Sequence, residues 1–356
     1  MYRYRWILSL LILVALILTA CQPIDPSTPI AGFMPEPTPV TDWLTFNQGN
    51  SELPGFTVHD LALDPSGAIW IAASSGLAKF DGANWEVYTP KNSELPNSRV
   101  TALALDDSGS LWVGTDNGLA QFDGANWEVY TTANSDLPYR SVHELAFDPE
   151  GTLWVGTGCF FCSGSGGLAS FDGETWTGYD MSNSDIPGNH IIGLAIDDQG
   201  NKWIGTTGAL GRYDGENWTN FSKTGDSTEL RVNDVPGIAL DAEEGVWISS
   251  GSANGGVAHF DGESWTRYTT DNSALPTNYA EEITVDRAGS KWIGTREGLV
   301  KFDDENWTVF SMENSDLPAN WIWGILVDDK ENVWIGLSAS GLAVYNEGGV
   351  DLDLVE

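Results

Sequence analysis

The chain has 356 residues, 51 of them acidic against 16 basic, so its net charge at neutral pH is −35; it carries 17 tryptophans and only three cysteines. A surface of that sign repels nucleic acid and anionic lipid, which excludes a DNA- or RNA-binding role and leaves solubility of a Trp-rich domain as the plain use of the charge.

Residues 1–20 read as an export leader. Arg3 and Arg5 precede an apolar run from Trp6 to Leu18, shorter than the roughly 20 residues a bilayer span needs. The run closes on Leu18-Thr19-Ala20-Cys21, which resembles the bacterial lipobox. That resemblance implies cleavage before Cys21, lipidation of Cys21, and an exported chain held on the outer face of a bacterial membrane, at the cell surface or in the periplasm. An uncleaved anchor with a chance cysteine is the alternative. Residues 21–42, rich in Pro, Thr and Ser without helical or strand period, read as an extended tether that buries no core.

From residue 43 the chain repeats. GLAKFDGANWEVYT at 76–89 returns as GLAQFDGANWEVYT at 118–131. Aligned on one tryptophan per unit, Trp70, Trp112, Trp154, Trp203, Trp247, Trp292 and Trp334 mark seven units of about 42 to 49 residues, each with a second tryptophan such as Trp85 or Trp127. Within the first unit, 59–64, 68–73, 76–81 and 84–89 alternate as short strands joined by Gly- and Asp-bearing turns, which predicts a four-stranded antiparallel sheet. Seven such sheets, each too small to bury its faces alone, predict an all-β, seven-bladed β-propeller over 43–349, with indoles wedged between blades. The seventh unit stops before a fourth-strand tryptophan, while DWLTF at 42–46 is a fourth strand with nothing before it. The N-terminal strand is therefore expected to close the ring, with 350–356 left as a tail.

The pattern of Asp, turn, aliphatic-Trp-Ile/Val-Gly-Thr, Gly-Leu and Phe-Asp-Gly resembles the two-component regulator propeller repeat, found outside the membrane in hybrid sensor kinases and in stand-alone secreted proteins. The resemblance covers residues 43 to about 348 and implies the fold and a sensing role. No kinase or regulator sequence follows by Glu356, so a stand-alone, monomeric form is expected, without signal transduction of its own.

Functional residues are sought where the repeat varies. The loops entering the innermost strands place Thr57, Arg99, Ser141, His190, Asp234, Tyr279 and Trp321 at one position, preceded by Phe56, Ser98, Arg140, Asn189, Asn233, Asn278 and Asn320. An axial mouth built from Arg99, Arg140, His190, Tyr279, Trp321 and Trp323 with four asparagines suits an oligosaccharide, including a uronic acid, since aromatic faces stack on sugar rings and Arg and Asn bind hydroxyls and carboxylates. The same residues could equally plug the channel. Deeper on these strands, Asp60, Glu144, Glu281 and Glu282 could hold Ca²⁺ or simply hydrate the channel, and the latter is preferred. In the third unit TGCFFCSGSGG at 157–167 is an insertion overhanging the same mouth; Cys159 and Cys162, in an exported chain, are expected to form a local disulfide beneath Phe160 and Phe161. The blade-four-to-five linker, 224–236, departs from the NSELP pattern of the others. Two further readings stand beside the ligand-binding one: a scaffold docking a protein partner on the loop-bearing face, and a lyase using His59, His143 or His190 with a divalent metal, as the antibiotic lyases of this fold class do.

Overall fold

The computed structural model describes residues 41–159, 162, 164–221, 233–243 and 245–352. The leader, Cys21, most of the tether, Phe160, Phe161 and most of the blade-four-to-five linker lie outside the described residues.

Seven four-stranded antiparallel sheets make up the described chain. Blade one runs Val58–Leu63, Ile69–Ala73, Gly76–Phe80 and Trp85–Tyr88, within a residue of the strands expected from alternation. In the seventh sheet the outer strand is Trp43–Phe46, paired antiparallel with Leu342–Tyr345 in the register Trp43↔Tyr345 to Phe46↔Leu342. The N-terminal strand thus closes the ring. It also touches both neighbours: Phe46 packs on Phe80 and Trp85 of blade one at 5.2 and 5.5 Å, and Trp43 on Phe310 of blade six at 5.8 Å.

The apolar core sits between the sheets, in seven clusters, one per interface. At the interface of blades one and two, Trp70, Ala72 and Leu77 meet Val100, Leu103, Leu111, Val113 and Phe122; across the closure, Ile69, Ile71 and Phe80 meet Trp334, Leu342 and Val344. The second-strand indoles are only 2–5% exposed. A buried indole N–H needs a partner, and in blades two to seven it finds the Asp six residues earlier: Trp154 Nε1 donates to Asp148 Oδ2 at 2.8 Å, with the equivalent bonds between 2.8 and 3.1 Å. The other oxygen of that Asp caps the turn, as when Asp148 Oδ1 accepts from Thr152 N–H at 2.8 Å. One residue thereby fixes both turn and wedge, which is why Asp and Trp recur together. In blade one Asp64 instead pairs with Lys79 at 2.8 Å.

Fourth-strand tryptophans act at the rim of the same interfaces. Trp127 stacks on Phe122 of its own blade at 4.5 Å and meets Tyr88 of the preceding blade edge-on at 5.8 Å. The recurring Asn-Ser-x-Leu/Ile-Pro segment is a staple. Asn92 Oδ1 accepts from Thr89 N–H and its Nδ2 donates to Val87 O, while Leu95 two residues past Ser93 is buried at the interface.

The glycine after the second-strand tryptophan is explained by blade spacing. A Cβ at Gly156 would lie 2.7 Å from Ile191 Cγ2 of the next blade, and one at Gly205 2.0 Å from Val235 O. At these two positions a residue without a side chain lets the next blade approach this closely, whereas blades one and five accommodate Ala72 and Ser249 at the equivalent place.

Candidate functional site at the axial mouth

Six inner strands carry a β-bulge. Pairing with the second strand slips by one residue between Val58 and Asp60, Val100 and Ala102, Val142 and Glu144, Ile191 and Gly193, Ala280 and Glu282, and Ile322 and Gly324. Bulges re-aim side chains, and here the extra residues are His59, Thr101, His143, Ile192, Glu281 and Trp323, all of which line an axial cavity of about 650 Å³. Two consecutive residues therefore face the axis where strict alternation would give one: His59 with Asp60, His143 with Glu144, Glu281 with Glu282.

The upper wall is a continuous arc running from blade six through seven and one to three. The Arg296 guanidinium lies over the Tyr279 ring at 4.5 Å and the Trp321 ring at 5.0 Å, and its Nε donates to Glu281 Oε1. Trp321 and Trp323 stack at 5.7 Å and 30°. His59 meets Trp323 edge-on at 5.6 Å and accepts from Arg99 Nε at 3.4 Å. Arg99 pairs with Asp116 at 3.7 Å, which in turn accepts from Ser141 Oγ at 3.1 Å. Arg140 lines the cavity next to Tyr139, is exposed, and its side chain has no hydrogen bond or ion pair with any described residue.

Of the residues singled out from sequence, Arg99, Arg140, Trp321 and Trp323 line the cavity. Tyr279 stands beneath Arg296 and supports it. His190 is buried behind the wall, 8% exposed, its ring 5.1 Å from that of His143. Three of the four asparagines expected at the mouth serve the backbone: Asn189, Asn278 and Asn320 accept from the amides of Met181, Thr270 and Met312 at 2.8 to 2.9 Å. Each locks the turn before the inner strand, a local use of Asn that competes with any ligand role. Arg296 and Asp116 were not singled out. Both occupy the position after a second strand, where the other blades have Ser, Thr or Gly, so the same search for repeat-breaking residues, applied one loop further on, finds them.

The floor is acidic. Asp60 accepts the Leu61 amide on one oxygen and the Leu103 amide of blade two on the other, both at 2.7 Å; Glu282 accepts the Ile283 amide at 3.0 Å. Burial pushes the Asp60 carboxyl up to about 6, the two amides opposing it. Burial raises Glu282 to about 8 despite its amide, with Asp60 adding to the rise, and lifts Glu144 well above the carboxylate range, reinforced by Asp60 and Glu282. Burial, then the charge of Arg99, lowers His59 to about 4; burial likewise lowers His143, and His190 to about 4. At neutral pH Glu282 thus mostly holds its proton and the histidines are uncharged.

This donor set does not fit a metal. His143 Nε2 lies 3.2 Å from Gly158 O, which makes it the protonated nitrogen, and His59 Nε2 faces the Arg99 guanidinium. Glu281 is taken by Arg296, and no three His, Cys, Asp or Glu side chains among the described residues are grouped to hold an ion. A metal-assisted elimination therefore finds no ligand set among the described residues of this wall.

The third-blade insertion is part of the wall. Gly158 and Cys159 line the cavity, the Cys159 and Cys162 sulfurs are 2.00 Å apart, and the Tyr139 hydroxyl is 3.6 Å from Cys162 Sγ.

Residues 94–117 match the family described as two component regulator propeller. No curated protein matches the chain significantly. Among solved structures, the extracellular domain of a protein described as a hybrid two-component system, BT3049 from B. thetaiotaomicron, is similar over 86% of this chain and 42% of its own, with 20% identity and a TM-score of 0.72. PorZ, a surface component of the type-IX secretion system of Porphyromonas gingivalis, is similar over 86% and 48% at 18% identity and a TM-score of 0.67. Virginiamycin B lyase from Staphylococcus aureus is similar over 85% and 99% at 13% identity and a TM-score of 0.66. The chain spans less than half the length of the first two, and at these identities the likeness is one of fold. One segment, residues 94–117, thus matches the two component regulator propeller family, within a ring of seven four-stranded blades.

Proposed function

We propose that the chain is an exported ligand-binding propeller of the sensing type, tethered to a bacterial membrane through lipidated Cys21, and that its axial cavity takes a saccharide. One observation carries the reading. The seven second-strand indoles are 2–5% exposed, whereas Trp321 and Trp323 stand 38% and 36% exposed at the cavity mouth, stacked and supported by Arg296. Exposing two adjacent indoles costs burial that the rest of the molecule secures. A cavity of about 650 Å³ is of the size of small-ligand sites, roughly 300–1,000 Å³, and its wall alternates aromatic faces with hydrogen-bonding groups. The similarity to an extracellular domain of a two-component system agrees with export and with sensing.

The test is thermal shift against a panel of plant and bacterial wall oligosaccharides, since a ligand that binds the folded state raises its melting temperature. At least one saccharide should stabilise the protein. Trp323→Ala should weaken that saccharide about tenfold or more, in line with the loss of roughly 1–3 kcal/mol of stacking and burial, while its unliganded melting temperature stays within a few degrees of wild type. A panel without a stabilising saccharide, or undiminished binding by Trp323→Ala, contradicts the proposal.

A further inference from the structure

The three cavity arginines are not equivalent. Arg296 is clamped between Tyr279 and Trp321 and paired with Glu281; Arg99 is shared between His59 and Asp116. Their charges are already answered by acids of the wall. Arg140 is exposed into the cavity and meets no acid among the described residues, in a chain with about three acidic residues for every basic one. Tyr139 lines the cavity beside it, its hydroxyl donating to Cys162 Sγ at 3.6 Å. An unanswered guanidinium is the group that binds a carboxylate through two parallel N–H bonds.

Resting on the saccharide site above, we infer that the sugar taken by the axial cavity carries a carboxylate, held at the rim by Arg140 with its ring against the Trp321–Trp323 pair. The cavity's polarity orients such a ligand. Asp60, Glu144 and Glu282 line the floor from blades one, three and six, where no cation among the described residues answers a carboxylate as Arg140 does at the rim, and where sugar hydroxyls can donate to and accept from the floor carboxyls. The acid faces outward to Arg140 and the hydroxyl-rich end faces down.

Isothermal titration at neutral pH with matched pairs reads this directly: digalacturonic acid against digalactose, and a glucuronic acid-containing disaccharide against cellobiose, with a sulfated disaccharide as a separate arm. The carboxylated member of a pair should bind at least tenfold tighter than its neutral partner. Arg140→Ala, at an exposed position that leaves the fold intact, should erase that preference without abolishing binding of the neutral sugar; Arg140→Lys should restore part of it. Trp323→Ala should weaken both members together. Equal binding of neutral and acidic members, a preference that survives Arg140→Ala, or a preference for the sulfated sugar alone overturns the inference. If neutral sugars bind in a Trp323-dependent way without acidic preference, the saccharide site stands and this inference falls. If no member of either pair binds, both fall.

Discussion

Deletion of residues 43–46 should lower the melting temperature by about 10 °C or more, or leave a protein that aggregates on expression. The strand supplies the fourth strand of blade seven through four register pairs, and its loss bares the edge of Leu342–Tyr345. Leu342 and Val344, both buried in the closing cluster, would lose Leu44 and Phe46 from their cover. Burial of Trp43, Leu44 and Phe46 is worth on the order of 5 kcal/mol together, since each large apolar side chain contributes about 1.5–3 kcal/mol when fully covered and these are half-buried. In a chain of this size roughly 2 °C follows each kcal/mol. The exposed strand edge also pairs readily with other chains. Phe46→Ala is the milder form: it removes the ring seated between Phe80 and Trp85 and should lose about 2–3 kcal/mol. Calorimetry that found the deletion as heat-stable as wild type would show that the ring does not depend on this clasp.

Replacing Glu282 by Gln should stabilise the protein at alkaline pH, by about 1–3 kcal/mol at pH 8.5. The folded pKa of Glu282 is raised from 4.5 to about 8, so the folded state holds a proton that the unfolded state has released. The stability linked to that proton is complete below pH 4.5 and is lost as pH rises through 8. Asp60 behaves alike between 3.8 and about 6. The lowered histidines act in the opposite sense: His59 and His190 contribute above 6.5 and lose that contribution as pH falls through about 4. Above pH 6.5 the histidine contributions are complete and Asp60 has mostly titrated, while Glu282 still titrates, so the wild-type melting temperature should fall by a few degrees between pH 6.5 and 8.5. The amide cannot ionise and still accepts the Ile283 N–H, so the variant should lose markedly less over that interval. A wild type insensitive to pH over this range, or a variant with the same slope, would mean that the floor is ionised and well solvated.

The blades, their number and the closing strand were legible because period-2 alternation and a repeated Asp-turn-Trp unit report packing that every blade shares. Arg99, Arg140, Trp321 and Trp323 were legible as departures from that shared pattern. What alternation hid was the bulge: a slip of one residue leaves no compositional mark, yet it turns His59, His143 and Trp323 towards the axis beside their successors. The asparagines misled because a side chain that caps its own loop looks, in sequence, like one offered to a ligand; Asn320 is spent on the Met312 amide. Arg296 sits in a different loop from the ones that enter the inner strands, although its partners Tyr279 and Trp321 both stand out in sequence. The glycine of the Trp-Ile-Gly-Thr segment has its cause in the next blade, at Ile191 or Val235, a contact that no local pattern contains.

A crystal structure of the protein with the saccharide that stabilises it most would decide the matter. A sugar ring lying against Trp323 within the axial cavity, with Arg140 at its outer edge, is the predicted result. A sugar bound on the outer strands or at the opposite mouth, with the axial cavity free of it, would contradict the assignment of function to this site.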